Sequence, residues 1–348
     1  LHALATCRPL LAQLLERQNL TESQAAALLG VLTDASLEPA LAGAVLAALR
    51  VKGVTAAEVR GFAEAMRARA RTLEWADGLD AIDIVGTGGD ASGSLNLSTG
   101  AALLTAACGA GVIKHGNRSV SSRSGSADFL EALGFKLPLD EAAAGRCFAA
   151  TGFTFLFAPY YHPAMRALAP VRAALGVRTI FNLLGPLTNP AAPRFQLIGA
   201  YDAAAAELMA NAVAGMRVER AWIVHGAGGW DEATPIGPFL VYEVALGRVR
   251  RFEVDPAEFG VAPCAAADLA GGDGAANFAA FAAVVERRDR GPHLAAVALQ
   301  AGIALHIAGR APSVAAGIGA ARAVVESGQA EEWLRGLRQC ALREAGAA

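Results

Sequence analysis

The segment Asp83-Ile-Val-Gly86-Thr87-Gly88-Gly89-Asp90, with Asn96-Leu-Ser98-Thr99 shortly after it, sets the architecture expected of its surroundings. The apolar run Ala81–Val85 has the length of a buried strand; it empties into glycines and then into a helical pattern opening near Ser98. Glycines allow backbone N–H groups to approach a phosphate closely, and the terminus of the following helix adds a favourable dipole. Ser98 and Thr99 place hydroxyl donors at that terminus. The plainer reading is a tight turn with an ordinary N-cap. A P-loop is excluded, because no lysine follows the last glycine. Gly86-Thr-Gly88-Gly-Asp-Ala91 does match the dinucleotide fingerprint, but that site wants an acidic residue about twenty positions on. Residues Ala91 to Ala127 contain no Asp or Glu, which weakens the dinucleotide reading.

Outward from this unit, strand-like runs recur at Gly111–Lys114, Phe153–Phe157, Phe195–Ala200 and Ala221–Val224, with helical stretches between them. Such alternation predicts a mostly parallel central sheet flanked by helices. An antiparallel pair is expected at Phe239–Val244 and Arg248–Val254, turned through Leu246-Gly247. From about residue 8 to 70 the pattern is helical, and Thr21/Gln24 and Thr55/Glu58 form capping boxes. The expected architecture is α/β: a small helical lobe over residues 1–75 and a larger α/β lobe over 76–348. A returning helical segment near 162–184 is assigned to the smaller lobe, and three or four helices are expected from Asn277 onward.

Lys114, His115, Arg118 and Arg123 surround a second polar loop, Lys114-His-Gly-Asn-Arg-Ser-Val-Ser-Ser122, whose plain reading is a solvated charged loop. Two polar loops at successive strand ends together describe a site for a multiply charged phosphate ligand. Asp231-Glu232 follows the glycines of Gly226-Ala-Gly-Gly229; adjacent carboxylates there suit a hard cation such as Mg²⁺, although a surface Asp-Glu pair is common. Asp273 in Gly271-Gly-Asp is a weaker metal candidate and reads better as a helix-entry turn. The chain has six histidines and no Gly-x-Ser-x-Gly elbow, so a hydrolase triad is unsupported. His293 and His306 read as structural, whereas His115 and His162 lie beside the loops of interest.

Hydrophobic residues make up 54% and charged residues 18% of the 348 positions, a profile that argues against disorder. The net charge of -2 exerts no global pull on nucleic acid or anionic membrane, so anion binding must come from a local patch. Cysteines at 7, 108, 147, 264 and 340 fit neither a zinc pattern nor a disulfide framework, which points to a reducing cytoplasm. Residues Leu1 to Leu20 lack the apolar run of a secretory signal, and the uncharged stretch before Ile113 is too polar for a membrane span.

Several long motifs resemble the anthranilate phosphoribosyltransferase family of tryptophan biosynthesis. They are Gly86-Thr-Gly-Gly-Asp90, Asn96-Leu-Ser-Thr99, Lys114 to Ser122, Phe157-Ala-Pro-Tyr-Tyr-His162-Pro-Ala-Met165, Val171-Arg172, Gly176-Val-Arg-Thr-Ile-Phe-Asn-Leu-Leu-Gly-Pro-Leu-Thr-Asn-Pro190 and Asp231-Glu232, in family order. The resemblance implies transfer of the phosphoribosyl group of phosphoribosyl pyrophosphate (PRPP) to the amine of anthranilate, in a cytoplasmic homodimer without nucleic-acid or membrane partners. It implies that Gly86, Gly88, Gly89, Asp90, Asn96, Ser98, Thr99, Lys114 and Ser126 hold PRPP, and that Ser98, Asp231 and Glu232 bind about two Mg²⁺ ions. Gly86, His115, Asn117, Tyr161, His162, Arg172 and Pro186 would line the anthranilate path, with no side chain acting as catalytic acid or base. Three alternatives carry different expectations. A pyrimidine nucleoside phosphorylase of the same broad fold has no need of Lys114-His-Gly-Asn117. A nucleic-acid-binding relative would want a basic surface. A phosphoribosyltransferase for another aminobenzoate leaves the same motifs.

Overall fold

The computed structural model describes residues 2–76, 78–118 and 123–347, so Ser119-Val-Ser-Ser122 of the second loop lies outside the described residues. Four helices come first: α1 (His2–Leu15), α2 (Glu22–Leu32), α3 (Pro39–Lys52) and α4 (Ala56–Arg67). Both expected capping boxes form, at Thr21 and at Thr55. Glu58 does more than cap. Its fully buried carboxylate also accepts from the Leu20 N–H at 2.8 Å and from Lys52 Nζ at 2.9 Å. The first turn of α4 therefore anchors both the α1–α2 connection and the end of α3.

The larger lobe alternates strand and helix: β1 (Ala81–Gly86), α5 (Leu97–Ala107), β2 (Gly111–Gly116), α6 (Ser126–Leu133), α7 (Glu141–Thr151) and β3 (Phe153–Phe157). A passage of short helices follows, α8 (Ala158–Tyr161), α9 (Ala169–Leu175) and α10 (Phe181–Leu184), ending in a 3-10 turn at Gly185–Leu187. The chain then forms β4 (Phe195–Gly199), α11 (Ala203–Val213), β5 (Arg220–His225), β6 (Phe239–Ala245) and β7 (Arg248–Val254). It closes with α12 (Gly274–Val285), α13 (Pro292–Ile307), α14 (Val314–Glu326) and α15 (Gln329–Ala347). Asp273 is the N-cap of α12, as its sequence context suggests.

The sheet order is β3-β2-β1-β4-β5-β6-β7, parallel from β3 through β5 and antiparallel at β6 and β7. Leu246 and Gly247 both take positive φ, 50° and 73°, as a tight hairpin with the sheet's twist requires. Chain order reverses between β1 and β4, and ligands of open α/β sheets bind outside the strand ends at such a point. Gly86 ends β1 there, opposite Gly199 of β4.

Two cores sandwich the sheet. One gathers α5, α6, α7 and α12 to α15 against Ile82, Ile84 and Phe155. The other joins the N-terminal helices to α9, α10, α11 and the opposite sheet face through Ile198, Ile223 and Val244. All five cysteines are free. Among the described residues, no helix is long and apolar enough to cross a membrane.

The second loop requires a correction. β2 runs past the expected end at Lys114 to Gly116, paired with β3 as far as Phe157, so His115 and Gly116 are strand residues too. Lys114 is not solvated; it is 1% exposed, its ammonium donating to the Ile84 carbonyl and its charge favoured by the buried carboxylate of Asp83 on β1.

Candidate active site

At the end of β1 the chain leaves through a loop in which Gly88, Gly89 and Ala91 all take positive φ, 68°, 75° and 59°. Side chains resist this conformation, and glycine adopts it freely. The Thr87 N–H donates to the Gly199 carbonyl at 2.9 Å, which fixes the base of the loop on β4. The Gly88 N–H donates to Asp231 Oδ2 at 2.6 Å. The Asp231 N–H in turn donates to Asp90 Oδ2 at 3.3 Å. Residues 231–232 cross the ends of β1, β4 and β5 because three glycines leave room for them. A Cβ on Gly86 would stand 2.4 Å from Asp231 Oδ2, one on Gly199 only 1.6 Å from the Asp231 carbonyl oxygen, and one on Gly226 2.1 Å from that of Glu232. The helix expected near Ser98 is α5, with Asn96 as its N-cap residue; its Ser98 N–H donates to Glu232 Oε1 at 3.3 Å. A carboxylate at that helix terminus is favourable for both hydrogen bonding and the dipole.

The glycine loop, the α5 terminus and the acidic pair thus converge. Burial, then the neighbouring Asp90, pushes the Asp231 carboxyl up to about 7. Burial, then Asp231, pushes Glu232 up to about 8. Lys114 is the cation beneath them; its Nζ donates to the Ile84 carbonyl and lies 3.4 Å from Ser98 Oγ. Burial lowers the Lys114 pKa, opposed by Asp83, Glu232 and Asp231. Asp83 is itself raised to about 6 by burial, against the pull of Lys114 and of Asn189, whose Nδ2 donates to Asp83 Oδ2 at 2.9 Å. Lys114 thus feels the charges of Asp83, Glu232 and Asp231, while Asp90 stands beside Asp231. A divalent cation with oxygen preference fits that excess of negative charge. Among the described residues, no three His, Cys, Asp or Glu side chains are gathered in a ready-made metal cluster.

The other predicted residues divide by position. His115 follows Lys114 on β2, 2% exposed, with Nδ1 3.1 Å from the Gly185 carbonyl oxygen. Its ring meets that of His162 edge to face at 5.1 Å. Burial lowers the pKa of His115 to about 3 and of His162 to about 4, so both are neutral at pH 7. The carbonyls of Thr188 and Met66 lie near the His162 ring, but neither makes a well-aligned hydrogen bond. Gly185-Pro186 thus joins this histidine pair. Asn117 is exposed just beyond, its carbonyl accepting from Ser126 Oγ at 3.2 Å. Asn96 is held by Ser124 and by Asn277, whose Nδ2 donates to Asn96 Oδ1 at 2.8 Å. Thr99 is buried in α5. The side chain of Tyr161 faces the core; it is fully buried and its hydroxyl donates to the Leu139 carbonyl at 3.1 Å. Arg172 on α9 lies over the Phe181 ring at 5.3 Å and forms no ion pair among the described residues.

Comparison with known proteins agrees with this geometry. The description "Glycosyl transferase family, a/b domain" matches residues 78–331, and "Glycosyl transferase family, helical bundle domain" matches residues 8–70. An anthranilate phosphoribosyltransferase of Methylobacterium radiotolerans is 46% identical over 327 residues, 94% of each chain. The chain belongs to the anthranilate phosphoribosyltransferase family. The crystal structure of the Thermus thermophilus member superposes with a TM-score of 0.89 at 40% identity, covering 95% of this chain and 98% of that one. A Saccharomyces cerevisiae member, solved in complex with PRPP and Mg, has a TM-score of 0.88 at 25% identity, covering 97% and 98%.

Three contributors to the site were given no role from the sequence. Gly199 and Gly226 act through the backbone space they leave, and only strand register reveals that Gly199 faces Gly86. Gln300 on α13 is 2% exposed and its carboxamide favours the ionised form of Glu232, which lies in the loop after β5. Its sequence signal is a lone amide among apolar residues, Val297-Ala-Leu-Gln300-Ala-Gly-Ile303.

Proposed function

We propose that this chain transfers the 5-phosphoribosyl group of PRPP to the amine of anthranilate, giving N-(5-phosphoribosyl)anthranilate and pyrophosphate. The observation that carries the reading is the meeting of the glycine loop, the α5 terminus and the Asp231-Glu232 pair at the switch point of the sheet. Gly86, Gly88, Gly89, Asp90, Asn96, Ser98, Thr99, Lys114 and Ser126 hold PRPP. Asp231, Glu232 and Ser98 hold about two magnesium ions, whose charge, when bound, stabilises the departing pyrophosphate. His115, Asn117, His162, Arg172 and Pro186 form the acceptor side. Arg172, without a carboxylate partner of its own, suits the acceptor's carboxylate, since a guanidinium offers paired donors.

The arylamine nitrogen bonds to ribose C1 as the C1–oxygen bond to pyrophosphate breaks, and the nitrogen then loses a proton. The chain contributes position and electrostatics. Neutral His115 and His162 keep the acceptor side free of cationic competition for Arg172's partner. Backbone N–H groups of the glycine loop and the buried Lys114 face the donor's negative oxygens. The working form is a cytoplasmic homodimer.

The deciding experiment is an acceptor screen with PRPP and Mg²⁺, following pyrophosphate release with anthranilate, 3- and 4-aminobenzoate and aniline. Anthranilate is expected to be preferred over the next acceptor by tenfold or more in kcat/KM, on the order of what one mispositioned charged hydrogen bond costs. Preference for another aminobenzoate, or no release with any, overturns the reading.

A further inference from the structure

Arg178 belongs to none of the sets assigned above, yet it touches both sides of the site. It lies between α9 and α10, in the segment that packs with the N-terminal helices. Its guanidinium covers the Tyr201 ring at 4.0 Å and donates to the Gly89 carbonyl. The Tyr201 N–H donates to Thr87 Oγ1 at 3.1 Å, so Arg178 and Tyr201 bracket the glycine loop from Thr87 to Gly89. On the other side, Arg50 at the end of α3 donates through Nη1 to the Arg178 carbonyl at 2.5 Å. A chain of contacts therefore runs from the helical lobe through Arg178 to the loop.

We infer that Arg178 is a positioning residue for the glycine loop, coupling the loop's conformation to the helical lobe through Arg50. The physical argument starts from peptide planarity: C=O and N–H of one peptide point in opposite directions. With the Gly89 carbonyl held by Arg178, the Asp90 N–H of the same peptide is turned away from Arg178. Gly89 carries no side chain to resist rotation, and its φ of 75° is one of several conformations open to glycine, so an external tie is needed to select one. The Tyr201 ring restrains the guanidinium by stacking, which a lysine would reproduce less well.

The test has two readouts. The first is hydrogen exchange of the substrate-free protein, comparing the parent with Arg178→Gln, Arg178→Lys and Arg50→Gln. Loosening the tie exposes the Thr87 and Gly88 amides, now bonded to Gly199 and Asp231. Exchange over residues 86–92 is expected to rise roughly three- to tenfold in Arg178→Gln, a range discounted for an exposed bond, and less in Arg178→Lys and Arg50→Gln. Peptides from β4 and β5 should be unchanged, which separates a local tie from general destabilisation. Combining Arg50→Gln with Arg178→Gln should match Arg178→Gln alone, because both residues lie on one chain of contacts. Unchanged loop exchange in Arg178→Gln overturns the inference.

The second readout rests on the donor reading above and is calorimetry with PRPP and Mg²⁺. Affinity should fall with loop exchange across the variants. Weaker PRPP binding with parental loop exchange would show direct contact by Arg178 and would also overturn the positioning role. If the parent binds no PRPP while the exchange pattern holds, the donor assignment fails and the tie stands.

Discussion

Arg172 is a half-buried guanidinium that lies over the Phe181 ring, and burial pulls its pKa down. A cation so placed gains from an incoming carboxylate because it surrenders no existing ion pair. A charge-assisted pair contributes about 1.5–3 kcal/mol, so Arg172→Ala should raise the anthranilate KM by roughly one to two decades, with the PRPP KM nearly constant. Aniline lacks the carboxylate and should respond little to the substitution; equal sensitivity of both acceptors would remove Arg172 from the acceptor side. The acidic pair makes a prediction of a different kind. Asp231 and Glu232 titrate near 7 and 8 in the folded chain, above the ordinary carboxylate range. Between the ordinary range and those values the unfolded chain has released protons that the folded chain retains, so stability falls as pH rises. Asp83, raised to about 6, acts in the same direction, whereas His115 and His162, held neutral, lose stability as pH falls. The difference between parent and Asp231→Asn/Glu232→Gln isolates the pair. Measured with chelator present, the variant's Tm advantage should grow from about pH 4 and level off above pH 8. A pH-independent difference would mean the pair is not strained by burial. The corresponding Ala double variant should keep its fold and lose pyrophosphate release by orders of magnitude.

At the scale of elements, the ends of β1 and β4 place the acidic pair by being glycine. Gly199→Ala would drive a Cβ into the Asp231 carbonyl, at 1.6 Å from its oxygen, and backbone on both sides leaves no side chain to give way. The expected result is displacement of residues 231–232 and a fall in kcat approaching that of the Ala double variant, although neither carboxylate has been altered. Parental kcat in Gly199→Ala would show that the strand ends do not set the pair. Gly88→Val acts on the other component; at φ 68° valine is strained, and loss of PRPP affinity with a parental acceptor-side pocket is expected by calorimetry. These two glycines illustrate what was legible in the sequence. Gly88 stands in a continuous motif whose strand, turn and helix are consecutive, and all seven strands were visible as local runs. Gly199 gains its meaning only beside Gly86, through parallel pairing across more than a hundred residues. β2 was read two residues short, ending at Lys114, because His115 and Gly116 look like loop residues until the buried Asp83 carboxylate is known to accept from the His115 N–H. The bond from the Tyr161 hydroxyl to the Leu139 carbonyl was hidden for the same kind of reason. Local pattern reports propensity and periodicity; long-range compensation of buried polar groups leaves no local trace.

For the whole molecule, the division into a helical lobe and an α/β lobe describes the order of elements better than it describes the packing. Leu28, Leu46 and Phe62 of the N-terminal helices are fully buried in the core that also holds Ile198 and Ile223 of the sheet and Met209 of α11. Phe62 meets Phe181 of α10 edge to face at 5.9 Å. Arg60 of α4 pairs with Glu22 of α2 at 2.9 Å and donates to the Asn211 carbonyl at the end of α11 at 3.1 Å. Removing the first lobe would expose this face of the sheet, at roughly 1.5–3 kcal/mol for each large apolar side chain uncovered. A few such residues equal the whole stability of an ordinary domain, about 5–15 kcal/mol. The two lobes should therefore unfold together. In thermal melts, far-ultraviolet dichroism reports the helices of both lobes, and Trp222 fluorescence reports the sheet, where that ring is buried against Phe252. Trp222→Phe identifies its share of the signal among the four tryptophans. The expected outcome is coincident transitions for the two probes, and a fragment of residues 76–348 that lacks a cooperative melt. The small lobe then moves against the larger one only by small shifts within a shared core, which is the range over which a tie such as Arg50–Arg178–Gly89 can stay connected. An early transition confined to helix loss, with Trp222 fluorescence still native, would instead establish two independently stable bodies.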